Sequence, residues 1–244
     1  MDALIFAAGL GARLGPIGQT TPKALLEVGG CTMLERTVRR LVQAGADRIV
    51  VNVHHRADLI ERYVAEHDFG AEILISREPE RPLETGGGLW HARDLFRHDR
   101  PILLHNVDVI TDADLRAMVA GHERLGPLAT LAVNERDTTR SLLFDDDGLF
   151  GREDRQEGVK RMEGRPARGQ MRSWAFAGIH VCSPELLDHV RERGMFPIMT
   201  SYLRLVGEGH RILPWLLPKG LWLEIGNAER LEAARSALEG IPPS

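Results

Sequence analysis

Short apolar runs alternate with helix-patterned segments along most of this chain, and that alternation leaves few folds open to it. The runs at 3–7, 48–53, 72–76, 102–105, 128–134 and 174–182 have strand length and are rich in aliphatic and β-branched residues. Between them, 32–44, 58–66, 87–96 and 112–124 carry apolar residues at helical spacing, with Asp112 as the expected cap of the last. Further helices are expected near 184–193, 197–206 and 227–238, and a strand near 221–225, while 142–172 is less regular. Repeated strand-then-helix order predicts an α/β fold: a Rossmann-like mixed, mostly parallel sheet with helices on both faces. A chain of 244 residues can bury a large core as one domain, here divided near residue 125. In open sheets of this kind ligands gather at the carboxyl ends of the strands.

The first strand runs into a loop with glycines at 9, 11, 15 and 18, followed by Pro22 and Lys23, with Arg13 inside the loop. Glycine lets backbone amides come close to a ligand, and successive amides form a concave anion site. Two fixed cations beside such amides suit a polyphosphate whose charge grows during reaction. Neither common phosphate motif is present. No segment supplies Gly-x-x-x-x-Gly-Lys-Ser/Thr. Gly9-Leu10-Gly11-Ala12-Arg13-Leu14 puts leucine where a dinucleotide fingerprint needs its third glycine. The next strand tip, Val50-Val51-Asn52-Val53-His54, has no carboxylate to hold a ribose, which argues against hydride chemistry.

Gly9-Leu10-Gly11-Ala12-Arg13 followed by Pro22-Lys23 resembles the signature of the sugar-phosphate nucleotidyltransferases. The resemblance continues through Leu25, the Val28-Gly29-Gly30 turn and Met33-Leu34-Glu35, and spans about 4–234. Leu83-Glu84-Thr85-Gly86-Gly87-Gly88 is most similar to the segment of small N-acetylmuramate 1-phosphate uridylyltransferases, with mannose-1-phosphate guanylyltransferase-like members close by. It implies transfer of a nucleoside monophosphate from an NTP to a sugar 1-phosphate, with a nucleotide-binding half at about 1–125 and a sugar-binding half at about 126–240. By the same resemblance Arg13 and Lys23 are catalytic, and Ala7, Ala8, Gly9, Gly11, Arg13, Thr85 and Gly86 bind the nucleotide. Asn106, Glu163 and Gly178 are expected at the sugar, and Asp108 and Glu224 as ligands of Mg²⁺.

Three positions depart from the family pattern. Glu224 stands where relatives usually have aspartate, and Val107 where they usually have glycine. The Glu-Lys pair that several relatives place ahead of the Ala177-Gly178-Ile179 strand lacks its spacing here, leaving Lys160 or Arg161 for the sugar phosphate. UTP with an amino-sugar 1-phosphate such as N-acetylmuramate 1-phosphate is the leading expectation. GTP with mannose 1-phosphate, a catalytically silent nucleotide-sugar-binding protein, and a choline- or ethanolamine-phosphate cytidylyltransferase stay open beside it.

A net charge of −4 gives no reason to expect nucleic acid or a membrane surface as partner. No apolar run approaches membrane length, and no basic stretch precedes the first strand, so a cytoplasmic location is expected. Cys31 and Cys182 lack metal-ligand spacing and are expected as reduced structural thiols. His54-His55 is expected to be structural, Trp174, Trp215 and Trp222 core or pocket wall, and the molecule a monomer or homodimer.

Overall fold

A computed structural model describes residues 1–79, 81–156 and 158–240. β1 (Asp2–Phe6) leads through a loop and α1 (Pro16–Thr20) to a two-residue hairpin, β2 (Glu27–Val28) and β3 (Cys31–Thr32), and then to α2 (Met33–Gln43). Next come β4 (Arg48–Val53), α3 (Ala57–Glu66), β5 (Glu72–Arg77), α4 (Glu84–His91), β6 (Ile102–Asn106), β7 (Val109–Thr111) and α5 (Leu115–Leu125). The second half holds β8 (Ala129–Asn134), β9 (Arg140–Asp145), β10 (Gly148–Asp154), β11 (Lys160–Glu163) and β12 (Arg172–Cys182). It ends with α6 (Leu186–His189), α7 (Ile198–Gly207), β13 (Ile212–Leu216), β14 (Trp222–Glu224) and α8 (Ala228–Ala237).

One mixed sheet runs through both halves. β5, β4, β1 and β6 lie side by side and parallel. β12 joins β6 antiparallel, and β9, β10 and β11 extend the sheet from β12 as antiparallel neighbours. β8 also pairs with β12, and β13 runs parallel to β8. The segment 142–172 is therefore a set of antiparallel hairpins. Its charge-rich composition hides the strands because the turns between them and the whole of β11 are exposed.

Residue alternation shows why helices cover both faces. Ala3, Ile5, Ile49, Val51 and Leu103 join one core, which takes in Leu34, Val38 and Leu41 of α2. Leu4, Val50, Ile102 and Leu104 join the other, with Leu89 of α4 and Ile198, Met199 and Tyr202 of α7. Thr32 caps α2 by accepting from the Glu35 amide at 3.1 Å. The cap of α5 is Asp114 rather than Asp112, with its carboxylate accepting from Ala117 at 2.9 Å. The helix starts later because β7 first pairs with β14, drawing Asp112 into a backbone bond with Leu221. α4 begins at Glu84, earlier than the 87–96 pattern suggests. Cys31 and Cys182 are free and buried. Among the described residues no helix is long and apolar enough to cross a membrane.

Three buried histidines make stability depend on pH. Burial pushes His105 and His122 down to about 4 and His180 down to about 3. Each then stays neutral in the folded chain where the unfolded chain, at about 6.5, takes up a proton. Stability is thus full above about pH 6.5 and falls as pH drops toward 4, at about 1.4 kcal/mol per unit for each group at most. The urea midpoint is expected to be markedly lower at pH 5 than at pH 7.5. Equal midpoints would overturn this account.

Candidate active site

The carboxyl ends of β1, β4, β5 and β6 open onto a cleft of about 270 Å³. Its walls include Ala7, Ala8 and Gly9 from the first loop, Lys23, Thr85, and Asn106, Val107 and Asp108 after β6. These residues are far apart in sequence and meet because β1 sits between β4 and β6. Gly9 has no neighbour within 4 Å of where a side chain would start, so its backbone faces open space. Gly11 does not line the cleft. It adopts φ 65°, and its carbonyl lies where a side chain on Gly18 would have to go, so the two glycines close the loop on itself. His55 and Arg56 bond to the carbonyls of Gly18 and Gln19, which anchors the loop to the end of β4.

Lys23 and Asp108 form the central ion pair, Nζ to Oδ2 at 2.8 Å, with only 13% and 17% of their side chains exposed. Pro22, at φ −64°, sets up the short 3-10 turn that carries Lys23. Asp108 lies in the turn between β6 and β7. Glu224 comes beside it through tertiary pairing: β14 runs antiparallel to β7, Glu224 opposite Val109, and the Ile225 amide donates to the Asp108 carbonyl at 2.8 Å. The Glu224 carboxylate accepts from Arg230 of α8 at 2.7 Å. Arg13 is exposed, and its guanidinium lies 3.7 Å from where a Gly226 side chain would begin, on the same side as Arg230. Two carboxylates from neighbouring chain segments, each now held by a cation, fit a Mg²⁺ ion that completes its shell with phosphate oxygens and water. Among the described residues no group of three or more His, Cys, Asp or Glu side chains is gathered as a metal cluster. Val107 is buried and free of left-handed backbone strain, so valine is tolerated where relatives have glycine.

The Thr85 loop differs from expectation. Thr85 lines the cleft, but its hydroxyl oxygen accepts from the Ile198 amide at 3.0 Å. The Gly86 amide donates to the Phe196 carbonyl at 2.9 Å, and so is not free for a base. Side chains on Gly86 and Gly87 would collide with Phe196 and Gly194, so these glycines let α4 pack against the segment leading into α7. Two residues of the same wall were not singled out in the sequence. Asn52 and Glu78 are 1% and 5% exposed, and Asn52 Nδ2 and Glu78 Oε1 are buried without hydrogen-bond partners. Both side chains lie against α4, where a Cβ on Gly88 would meet Glu78 Oε1 at 2.9 Å and Asn52 Oδ1 at 3.1 Å, so these atoms are packed under the helix rather than presented to the cleft. The signal was a polar residue near the carboxyl end of each of two neighbouring parallel strands.

On the sugar side, Asn106 and Gly178 come together: the Asn106 amide nitrogen lies 3.1 Å from where a Gly178 side chain would start. Gly178, at φ 80°, sits in a bulge of β12, where the register with β8 shifts between Phe176 and His180. Glu163 is not brought to this place. It lies on β11, opposite Gly151 and reached from β12 only through β9 and β10, and it pairs with Arg161 at 2.7 Å. Lys160 and Arg161 are exposed on the same edge strand. Two strands, β9 and β10, separate it from β12 in the sheet.

A family model described as nucleotidyl transferase matches residues 2–240. The chain belongs to that family. An N-acetylmuramate alpha-1-phosphate uridylyltransferase of Caulobacter vibrioides is 33% identical over 246 residues, covering 97% of this chain and 96% of that protein. Its counterpart from Neisseria meningitidis serogroup B is 30% identical, with 97% of each chain covered. A mannose-1-phosphate guanyltransferase of Neurospora crassa is 29% identical across 93% of this chain, which spans 61% of that longer protein. Among solved structures, a putative glucose-1-phosphate thymidylyltransferase from Bacillus anthracis superposes with a TM-score of 0.76 at 21% identity, covering 99% of this chain and 96% of that one. The resemblance read from the glycine loop and Lys23 is borne out. The chain is a nucleotidyltransferase.

Proposed function

We propose that the cleft joins a nucleoside triphosphate to a sugar 1-phosphate, giving a nucleotide sugar and pyrophosphate. The observation that carries this reading is the Lys23–Asp108 pair at the mouth of a cleft bounded by the glycine loop and Asn106. The sugar phosphate is already ionised, so its oxygen attacks the α-phosphorus without a general base. The bond to the β-phosphate breaks as the new one forms. Lys23 would stabilise charge at the α-phosphate and the incoming phosphate, while Arg13 and the loop amides receive the β- and γ-phosphates. Asp108 and Glu224 would hold Mg²⁺, which neutralises phosphate charge and orients the two reactants. Thr85 would offer its remaining hydroxyl proton to the base edge, and Asn106 with Gly178 the sugar contact.

UTP with N-acetylmuramate 1-phosphate is the preferred pair, supported by relatives of that name matching nearly end to end. Mannose 1-phosphate with GTP is the second choice, supported by the guanyltransferase similarity. The nucleotide half would be about 1–125 and the sugar half about 126–240, acting in the cytoplasm as a monomer or homodimer. The test is pyrophosphate release with Mg²⁺, crossing UTP, GTP, CTP, dTTP and ATP with a panel of sugar 1-phosphates. Release that depends on one pair is the expected result, and silence with every pair would overturn the reading.

A catalytically silent binding protein is the rival, because Glu224 replaces the usual aspartate. Its ion pair with Arg230 instead indicates a site built around the longer carboxylate. Glu224→Asp is therefore expected to slow turnover about tenfold or more, as a contact of order 1.4 kcal/mol is lost. A gain in rate with aspartate would favour the silent reading.

A further inference from the structure

The sugar phosphate needs a cation, and the two expected ones lie on the exposed edge strand β11. A different arginine lies beside the β12 bulge. Arg136 follows the end of β8 and is half-buried, with its guanidinium carbon 3.9 Å from the centre of the Trp222 ring. One terminal nitrogen donates to Asn134 Oδ1 at 2.9 Å and the other to the Phe176 carbonyl at 2.8 Å. The bulge at Gly178 makes this possible, because it frees the carbonyls of Phe176 and Ala177 for Arg136 and for the Trp222 indole, the latter at 3.0 Å.

Trp222 and Glu224 are two residues apart on β14 and therefore project to the same face. Arg136 thus stands beside the Glu224 carboxylate, whose charge opposes the lowering that burial imposes on the guanidinium. Among the described residues Arg136 makes no ion pair, and two hydrogen bonds leave several of its five donors unused. It lines a cavity of about 480 Å³ with Asn134, Trp222 and Lys219, whose walls also include Asp112 and Glu135. A guanidinium fixed by stacking and two hydrogen bonds, with donors left over and no carboxylate bound to it, is organised for an oxyanion.

We propose that Arg136, steadied by Trp222 and by the carbonyl freed at the β12 bulge, binds an oxyanion of the sugar 1-phosphate. This rests on the nucleotidyl-transfer reading. Two groups on the preferred substrate present that chemistry, the 1-phosphate and the lactyl carboxylate of N-acetylmuramate.

The experiment compares wild type, Arg136→Gln and Arg136→Lys in pyrophosphate release, varying each substrate in turn. N-Acetylmuramate 1-phosphate and N-acetylglucosamine 1-phosphate serve as sugar substrates, and NTP binding is titrated separately. Arg136→Gln should raise KM for the sugar phosphate about tenfold or more while KM and affinity for the NTP stay within about twofold, and lysine, which keeps the charge but neither the stacking nor the forked donors, should restore only part of the loss. A loss with both sugars identifies the phosphate as the group bound. A loss confined to the muramate sugar identifies the carboxylate. Unchanged KM for both sugars in Arg136→Gln overturns the proposal and leaves nucleotidyl transfer standing. An equal rise for NTP and sugar, with weakened NTP binding, marks a structural role and also overturns it. Wild-type silence with every substrate pair overturns the transfer reading, and the role of Arg136 with it.

Discussion

Lys23→Ala should lower kcat at least a hundredfold with the fold intact. The Lys23 ammonium is fixed on a short 3-10 turn behind Pro22 and lies 2.8 Å from Asp108, in a cleft where it is only 13% exposed. A preorganised charge in such a site contributes about 3–4 kcal/mol to the barrier, which corresponds to about two to three powers of ten in rate. Alanine removes that charge and leaves Asp108 in place, so the response to Mg²⁺ should persist at the reduced rate. Steady-state turnover with a Mg²⁺ titration, alongside a thermal melt, reads both effects. Turnover near that of wild type would sink the assignment of Lys23.

Asp108→Ala is expected to be as severe, by a different route. It removes one of the two carboxylates that fit the ion and leaves the Lys23 ammonium half-enclosed without its partner. Turnover should fall at least about a hundredfold, and the dependence of nucleotide affinity on Mg²⁺ should flatten. Lys23→Ala should keep that dependence, so the pair of variants separates metal holding from charge stabilisation. Calorimetric titration of the NTP with and without Mg²⁺ is the decisive measurement. A steep Mg²⁺ dependence surviving in Asp108→Ala would show that the metal is held elsewhere.

Much of the site was legible because its parts are local. The strand, the glycine loop and Pro22-Lys23 follow one another within the first 23 residues, and their conformations arise from φ preferences that act over a few bonds. Asp108 was legible as an acid directly after a buried strand. Gly86 was misread because a glycine has two uses that look alike in sequence. It can offer an amide to a ligand, or it can let another segment approach, and here Phe196 takes that place. Glu163 was misplaced because its distance from Gly178 is set by the pairing of β9, β10 and β11.

Asn52, Glu78 and Arg136 were missed for a related reason. Each is an ordinary polar residue at a strand end, and its meaning comes from atoms contributed by other strands. Asn52 and Glu78 matter because they are buried and lack partners, and burial is a property of the packed sheet. Arg136 matters because a bulge in β12 frees a carbonyl and β14 brings Trp222 beneath it.

Strand and helix periodicity, loop flexibility and the order of charges along the chain are short-range, so the residues alone settled the α/β class and marked the glycine loop and the lysine that follows it. The meeting of Asp108 with Glu224, the closure of α4 on the Phe196 segment and the stacking of Arg136 on Trp222 join positions from 86 to 116 residues apart along the chain. Those were decided only by tertiary packing, because hydrophobic burial chooses which faces meet without leaving a local pattern in the sequence.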